Sequence, residues 1–320
     1  MPASSNFKRE IRDIDKLKFQ LSQNTFLSKV EKELIQSGRA FLAFRNNNAT
    51  LYYEGRQLCD LPQKLHVRED GGTLYFPPRI YNHYLPVIRS KTLTGAKKVG
   101  CLEATYCNKT KGLLDFTSVL PEILDNMDKE RDPEAYQVSN FYRFSPMVQK
   151  NCSTVILLDI EATFDILGEK RQRIDMVLYN TEERRLLFVE VKRLPDKRLY
   201  SNPSTHEPAE ILSQLKGYQK TIAIKKDQII EQYNKVIQYY NYLANKNVPC
   251  MNPHTAEDPL LGLLVVECTS VEQSNPAQAS NDFKQLCADI QREGYKMYLY
   301  GNTKNATPGT LLAIYQTFKK

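Results

Sequence analysis

The sequence has few of the residues that build common metal sites and no segment that could anchor it in a membrane. Its four histidines and seven cysteines show neither a C-x-x-C pair nor the spacing of metal ligands, which argues against a zinc site and a disulfide framework. No run is long and apolar enough to span a bilayer, and the first residues lack the apolar region of a signal peptide. We therefore expect a cytoplasmic protein with reduced cysteines and no membrane association.

The composition is that of a globular chain with a substantial core. Of its 320 residues, 41% are hydrophobic and 25% are charged, and the formal net charge is +7. A basic excess of this size is compatible with an anionic partner and equally with a mildly basic enzyme that binds no polyanion. Charge alone therefore does not select a function.

The first 117 residues contain no motif of known chemistry. Apolar residues recur at helical spacing over residues 7–37, and short β-favouring segments follow between residues 40 and 76, separated by turns rich in asparagine and glycine. A further strand is predicted at residues 100–106. We interpret residues 1–117 as a helix followed by an antiparallel β-meander, a module that we expect to recognise a substrate or partner.

Residues 118–320 have the pattern of a second domain of the α/β class. Their predicted order is helix, three strands, helices, strand, helix and strand. The run at residues 260–267 is apolar on both faces, as in a parallel or central strand. This order predicts a mixed central sheet flanked by helices.

Two apolar strands in the middle of this second domain contain unexpected charges. Residues 173–179 and 186–192 are joined by a polar turn. If that turn is symmetric, paired positions sum to 365, so that Asp175 lies opposite Glu190 and Lys192 shares their face. Isolated buried charges are costly, whereas carboxylates that hold a metal are compensated by it. The hairpin therefore predicts a site for a divalent cation.

The charged residues of the hairpin have a familiar arrangement. Asp175 on one strand, with Glu190-Val191-Lys192 at the end of the next, resembles the signature of the PD-(D/E)XK nuclease superfamily. The order of predicted elements also resembles the restriction-endonuclease-like core of that family. The resemblance implies that Asp175, Glu190 and the Val191 carbonyl hold the metal, and that Lys192 assists the attacking water. Ile174 stands where the family often has proline.

Several further residues extend the predicted site. Gln214 and Tyr218 resemble the Gln-x-x-x-Tyr element of the exonuclease-like branch, and their spacing puts them on one helical face. Tyr218 also continues an apolar stripe, so packing in the core is an equal interpretation. The resemblance implies another glutamate near the metal, on the helix before the first strand, for which Glu134 is the candidate. Glu161, at the end of its predicted strand, is a further candidate ligand. Glu130 and Glu122 are alternatives to Glu134. Asp159, near Glu161, is interpreted as a surface residue. The basic residues expected to bind the nucleic-acid backbone are Arg171, Arg173, Arg193 and Lys197.

These observations predict a nuclease that uses Mg²⁺, with Mn²⁺ as a substitute, to hydrolyse phosphodiester bonds in nucleic acid, DNA more than RNA. A homodimer or a larger defence or repair complex is the expected assembly. One alternative is a catalytically silent nucleic-acid-binding module on the same fold. Another is an interaction protein in which the Asp/Glu/Lys combination is fortuitous.

Overall fold

The fold was analysed in a computed structural model that describes residues 7–62, 66–67, 73–74, 76–86, 100–149, 153–164, 172–201 and 207–319. These residues form two compact units: one is Lys8–Arg143, and the other combines Phe7 with the chain from Phe144 onward. The structure is α/β with two main sheets, one of which is mixed. The division at Arg143 places two helices, at Leu120–Asp128 and Pro133–Ser139, in the N-terminal unit. The sequence predicts both helices in the second domain, with the hairpin.

The N-terminal unit begins with short helices in place of the single helix predicted over residues 7–37. They are α1 (Ile14–Gln23), α2 (Thr25–Val30) and a π-helical turn at Glu31–Ile35. Asn24 separates the first two because its backbone is extended and its side chain accepts a hydrogen bond from the Leu27 N–H, which caps α2. Residues 7–12 precede the helices and are not helical.

An antiparallel sheet follows, as the alternating segments predicted. Its strands, in spatial order, are β1 (Ala40–Arg45), β2 (Asn48–Tyr53), β3 (Arg56–Pro62), β6 (Arg79–Tyr81) and β7 (Gly100–Leu102). A separate two-stranded ribbon pairs β4 (His66–Val67) with β5 (Thr73–Leu74). The strand predicted over residues 100–106 is wrong beyond Leu102, because the chain turns there into helix α3 (Glu103–Lys109). The unit is completed by α4 (Leu120–Asp128) and α5 (Pro133–Ser139).

The C-terminal unit contains the mixed sheet that the sequence predicted. Its strands are β8 (Val155–Phe164), β9 (Gln172–Asn180), β10 (Arg185–Arg193), β11 (Leu260–Val266) and β12 (Met297–Leu299). The spatial order is β12-β11-β10-β9-β8. The β8–β9 and β9–β10 pairs are antiparallel, whereas β11 is parallel to both β10 and β12. The prediction of a parallel, central strand at residues 260–267 is confirmed.

The α-helices of this unit lie between β10 and β12 in the chain, except for the last, which follows β12. They are α6 (Glu210–Ile224), α7 (Lys226–Ala244), α8 (Ser270–Ser274), α9 (Asn281–Arg292) and α10 (Pro308–Lys319). Gly262 on β11 lets α10 approach closely, since a Cβ built there would lie 2.4 Å from the Phe318 ring. Gly262 pairs with Val189, whose side chain points away from the face that carries Glu190. Helix α10 therefore covers the sheet face opposite Glu190.

Aromatic rings fill part of the core on the Glu190 face. Phe7 stacks on Phe164 with ring centroids 4.8 Å apart and also lies 5.7 Å from the ring of Tyr233 on α7. Phe188, two residues before Glu190, contacts the same tyrosine ring at 6.0 Å. The start of the described chain is thus buried in the C-terminal unit. Within the described ranges, no helix has the length and apolar character needed to cross a membrane.

Candidate active site

The β9–β10 hairpin brings the predicted acids to one end of its two strands. An Asx turn shapes the connection, in which Asn180 Oδ1 accepts hydrogen bonds from two successive backbone N–H groups. The five paired positions, from Arg185–Asn180 to Val189–Met176, sum to 365, which confirms the predicted register. The paired ladder ends there, so Glu190 and Asp175 occupy the next position along the two strands.

Lys192 joins the two acids within a buried cluster. Its Nζ donates hydrogen bonds to Glu190 Oε1 at 2.7 Å and to the Val191 carbonyl at 2.8 Å, and it lies 3.8 Å from Asp175 Oδ2. Glu190 is only 3% exposed and Lys192 only 1%. Counted by formal charge, two carboxylates and one ammonium leave one negative charge among these three side chains.

The N–H and the carbonyl of Val191 both form hydrogen bonds within the cluster. Its N–H donates a 2.8 Å hydrogen bond to Asp175 Oδ2, and its carbonyl accepts from Lys192. The first contact turns the Asp175 carboxylate toward β10. Asp175, Glu190, Val191 and Lys192 are therefore brought together in the arrangement that the sequence predicted.

Tyr218 reaches the cluster from α6, but its hydroxyl is used by the main chain. It donates a 2.7 Å hydrogen bond to the carbonyl of Arg173 on β9. Burial raises the pKa of the Tyr218 hydroxyl far above its usual range, and the negative charges of Glu190 and Asp175 raise it further. Tyr218 is thus a neutral donor that fixes β9 against α6 beside the acids.

Gln214, one turn before Tyr218, forms no hydrogen bond with Asp175 or Glu190 in the described part of the chain. Its Nε2 donates to Glu210 Oε1 at 3.2 Å. Its Oε1 is shielded from solvent and accepts no hydrogen bond from the described residues. A buried amide oxygen without a donor is costly, so a ligand or a side-chain movement that supplied one would be favourable.

The two further glutamates proposed as ligands lie in different parts of the chain. Glu161 on β8 has its Oε1 3.2 Å from Arg173 Nη1 and has a left-handed backbone, with φ of 48°. Glu134 lies in the first turn of α5, in the N-terminal unit. Among the described residues, no group of three or more histidine, cysteine or acidic side chains is arranged to hold a metal ion.

The predicted backbone-binding residues have different surroundings. Arg173 is 58% exposed on β9, beside the acids. Arg193 follows Lys192 on β10 and so points to the other face of the sheet, where its Nε contacts both carboxylate oxygens of Glu267 at 2.9 Å. Lys197 is exposed on a 3-10 turn after β10. Arg171 lies outside the described residues.

One buried acid was wrongly interpreted from the sequence. Asp159 is 1% exposed, and its two oxygens accept hydrogen bonds from the Tyr233 hydroxyl at 3.0 Å and the Ile160 N–H at 2.8 Å. The cause is a register shift between Leu157 and Asp159, which changes the alternation of β8. The residues around Asp159 in the sequence do not indicate that its partner is the Tyr233 hydroxyl on α7.

The chemistry of the cluster suits a small, hard cation. Two carboxylates and one main-chain carbonyl are oxygen donors, which Mg²⁺ prefers, and Mg²⁺ in proteins usually keeps several water ligands. Lys192 now donates to two of these three groups, so a cation that bound them would compete with its ammonium. Comparison of the chain with protein-family models, with curated proteins and with solved structures finds no match.

Proposed function

We propose that this protein is a metal-dependent nuclease, with a restriction-endonuclease-like core of the PD-(D/E)XK type, that hydrolyses phosphodiester bonds in nucleic acid, DNA more than RNA. The observation that carries the proposal is the position of Lys192 Nζ, 2.7 Å from Glu190 and 3.8 Å from Asp175 at the end of a buried hairpin. Such a cluster is costly for a protein that uses it only for stability. Its cost is explained if the charges serve a reaction.

Mg²⁺ would be held by the carboxylates of Asp175 and Glu190 and by the main-chain carbonyl of Val191. Mn²⁺ would be accepted by the same oxygen donors. When bound, the ion supplies Lewis-acid polarisation of a phosphoryl oxygen and lowers the pKa of a water ligand. The Val191 N–H keeps the Asp175 carboxylate turned toward β10.

Lys192 has its ammonium beside both acids and would act on the reacting groups. Its ammonium has three N–H donors, and two of them are used by Glu190 and Val191 in this structure. An ammonium at this position can orient a water molecule or stabilise negative charge that develops on a phosphate oxygen. Tyr218 supports this geometry by holding the Arg173 carbonyl and thereby the strand that carries Asp175.

The order of elements in the C-terminal unit supports the same proposal. Three antiparallel strands, β8 to β10, are followed by helix α6 and later by the parallel strand β11. The acids lie on the middle and last strands of the three, next to the helix that carries Gln214 and Tyr218. The six described cysteines are free, which fits the cytoplasmic location expected for such an enzyme.

The test is cleavage of labelled linear, nicked, supercoiled and single-stranded DNA, and of RNA, with Mg²⁺, Mn²⁺ or EDTA. We expect cleavage that requires the metal and is lost in Asp175→Asn, Glu190→Gln and Lys192→Met. Glu182→Gln, in the hairpin turn, is a control that should keep full activity. Cleavage in EDTA, or equal activity in all these variants, would refute the mechanism.

Two other outcomes bear on the alternatives. Binding of nucleic acid without cleavage of any substrate would favour a catalytically silent binding module on the same fold. Absence of both metal and nucleic-acid binding would favour an interaction protein. Sedimentation of the free protein and of its DNA complex tests the proposed homodimer, in which two sites would act on the two strands of a duplex.

A further inference from the structure

Glu161 lies beside Asp175 but does not direct its carboxylate into the acid cluster. On β8, Ile160 pairs with Met176 and Ala162 pairs with Ile174, which places Glu161 next to Asp175 on the neighbouring strand. The position would suit a third metal ligand. The Glu161 carboxylate instead contacts the Arg173 guanidinium, with 3.2 Å between Oε1 and Nη1.

The backbone at Glu161 adopts a left-handed conformation within a strand. Its φ is 48°, a region that disfavours residues with a Cβ. Such a conformation persists only where the surrounding structure fixes it, and the paired residues on both sides of Glu161 continue the β8–β9 ladder. The ladder thus fixes the backbone position of Glu161, from which its carboxylate reaches the Arg173 guanidinium.

Arg173 is held at its main chain and exposed at its guanidinium. Its carbonyl accepts the Tyr218 hydroxyl, while 58% of its side chain is open to solvent. Strand alternation puts Arg173 and Asp175 on the same side of β9, two residues apart. The guanidinium can therefore turn toward a ligand at the acid cluster while Tyr218 keeps the strand in place.

We propose that Glu161 is a resident counter-anion of Arg173 and that a nucleic-acid phosphate, next to the one at Asp175 and Glu190, takes its place. An exposed ion pair contributes little to stability, whereas arginine and phosphate form two parallel charge-assisted hydrogen bonds. Glu161 thereby limits the affinity for the phosphate backbone and does not belong to the metal-binding set. This inference rests on the proposed function, because it requires nucleic acid at the site.

The test is equilibrium binding of a fluorescent single-stranded DNA oligonucleotide in EDTA, so that turnover does not contribute. We expect Glu161→Gln to bind about two- to five-fold more tightly than the wild type, since the phosphate no longer displaces a carboxylate. Glu161→Gly, which also suits the left-handed backbone, should bind equally tightly. Arg173→Gln should bind more weakly, and adding Glu161→Gln to it should give no gain.

Glu257→Gln is the control, because Glu257 also forms an ion pair with an arginine, Arg185 at the start of β10, away from the acids. It removes the same charge and should change affinity less than two-fold. If the wild type binds and neither Glu161 variant binds more tightly than Glu257→Gln, the counter-anion proposal is overturned alone. If the wild type and all variants fail to bind DNA and RNA oligonucleotides, this inference is overturned, and the proposed function is overturned with it if no substrate is cleaved with Mg²⁺ or Mn²⁺.

Discussion

Replacement of Lys192 should show how much its ammonium stabilises the two neighbouring carboxylates. Lys192→Met keeps most of the side-chain volume but leaves Glu190, which is 3% exposed, and the neighbouring Asp175 without their shared ammonium. Removal of one partner from a buried ion cluster costs about 3–5 kcal/mol, because the remaining charge is poorly solvated. We therefore expect the free energy of unfolding to fall by about that amount.

Urea denaturation followed by far-ultraviolet circular dichroism measures this change. Lys197→Met, at an exposed position on the same chain segment, is the control and should change stability by less than about 0.5 kcal/mol. The triple variant Asp175→Asn/Glu190→Gln/Lys192→Met should recover most of the loss, since a neutral cluster needs no counter-charge. A Lys192→Met variant as stable as Lys197→Met would refute the reasoning.

Added metal supplies a second measurement on the same variant. If Mg²⁺ binds Asp175 and Glu190, it should stabilise Lys192→Met more than the wild type, in which the ammonium competes for the same oxygens. The shift in thermal midpoint with millimolar Mg²⁺ tests this, and the triple variant should show none. Equal shifts in all three proteins would show that the ion binds elsewhere.

Three further predictions concern packing, hydrogen bonding and pH. Tyr218→Phe should cost about 1 kcal/mol in urea denaturation, because the Arg173 carbonyl loses its donor, while cleavage falls less than in Lys192→Met. Gly262→Ala should cost about 1–3 kcal/mol by the same measurement, because the new methyl group overlaps the Phe318 ring. Burial alone would raise the pKa of Glu183, but hydrogen bonds from α10 outweigh it and hold the pKa below its usual range. The stability that the ionised Glu183 carboxylate contributes is complete above the unfolded pKa of about 4.3 and is lost as pH falls through the lower folded pKa. The thermal midpoints of wild type and Glu183→Gln should therefore differ near neutral pH and converge in acid.

Each of these predictions has a result that would contradict it. An unchanged unfolding free energy in Tyr218→Phe would show that its hydroxyl bond is replaced by solvent. Gly262→Ala/Phe318→Leu should be destabilised by less than the sum of its single variants, and additive losses would mean that the two residues do not clash. A difference between wild type and Glu183→Gln that stays constant from neutral to acidic pH would remove the carboxylate as its cause.

The hairpin could be predicted from the sequence because its information is local. A polar turn fixes the register, and the two-residue period of a strand then fixes which side chains share a face. The same alternation places Arg193 and Lys192 on opposite faces of the sheet. The prediction that Arg193 binds the nucleic-acid backbone did not take this into account. Local pattern was sufficient for the cluster.

Other parts of the structure depend on tertiary packing and gave no such signal. The burial of Asp159 follows from a bulge in β8 and a hydroxyl from α7, 74 residues away. The chain turns from strand to helix at Leu102, where Glu103 and Ala104 favour a helix but Thr105 and Tyr106 favour a strand. The contact of Tyr218 with a main-chain carbonyl likewise requires α6 to pack on β9.

The position of Phe7 makes the C-terminal unit discontinuous in the chain. Phe7 packs on Phe164 and Tyr233, and its carbonyl accepts a hydrogen bond from Gln228, 221 residues later. During synthesis the segment Lys8–Arg143 is made before any of these partners, so the core around Phe7 can form only after that segment is complete. A fragment that starts after residue 7 would lack part of this core, so truncation at residue 143 alone does not isolate the complete C-terminal unit.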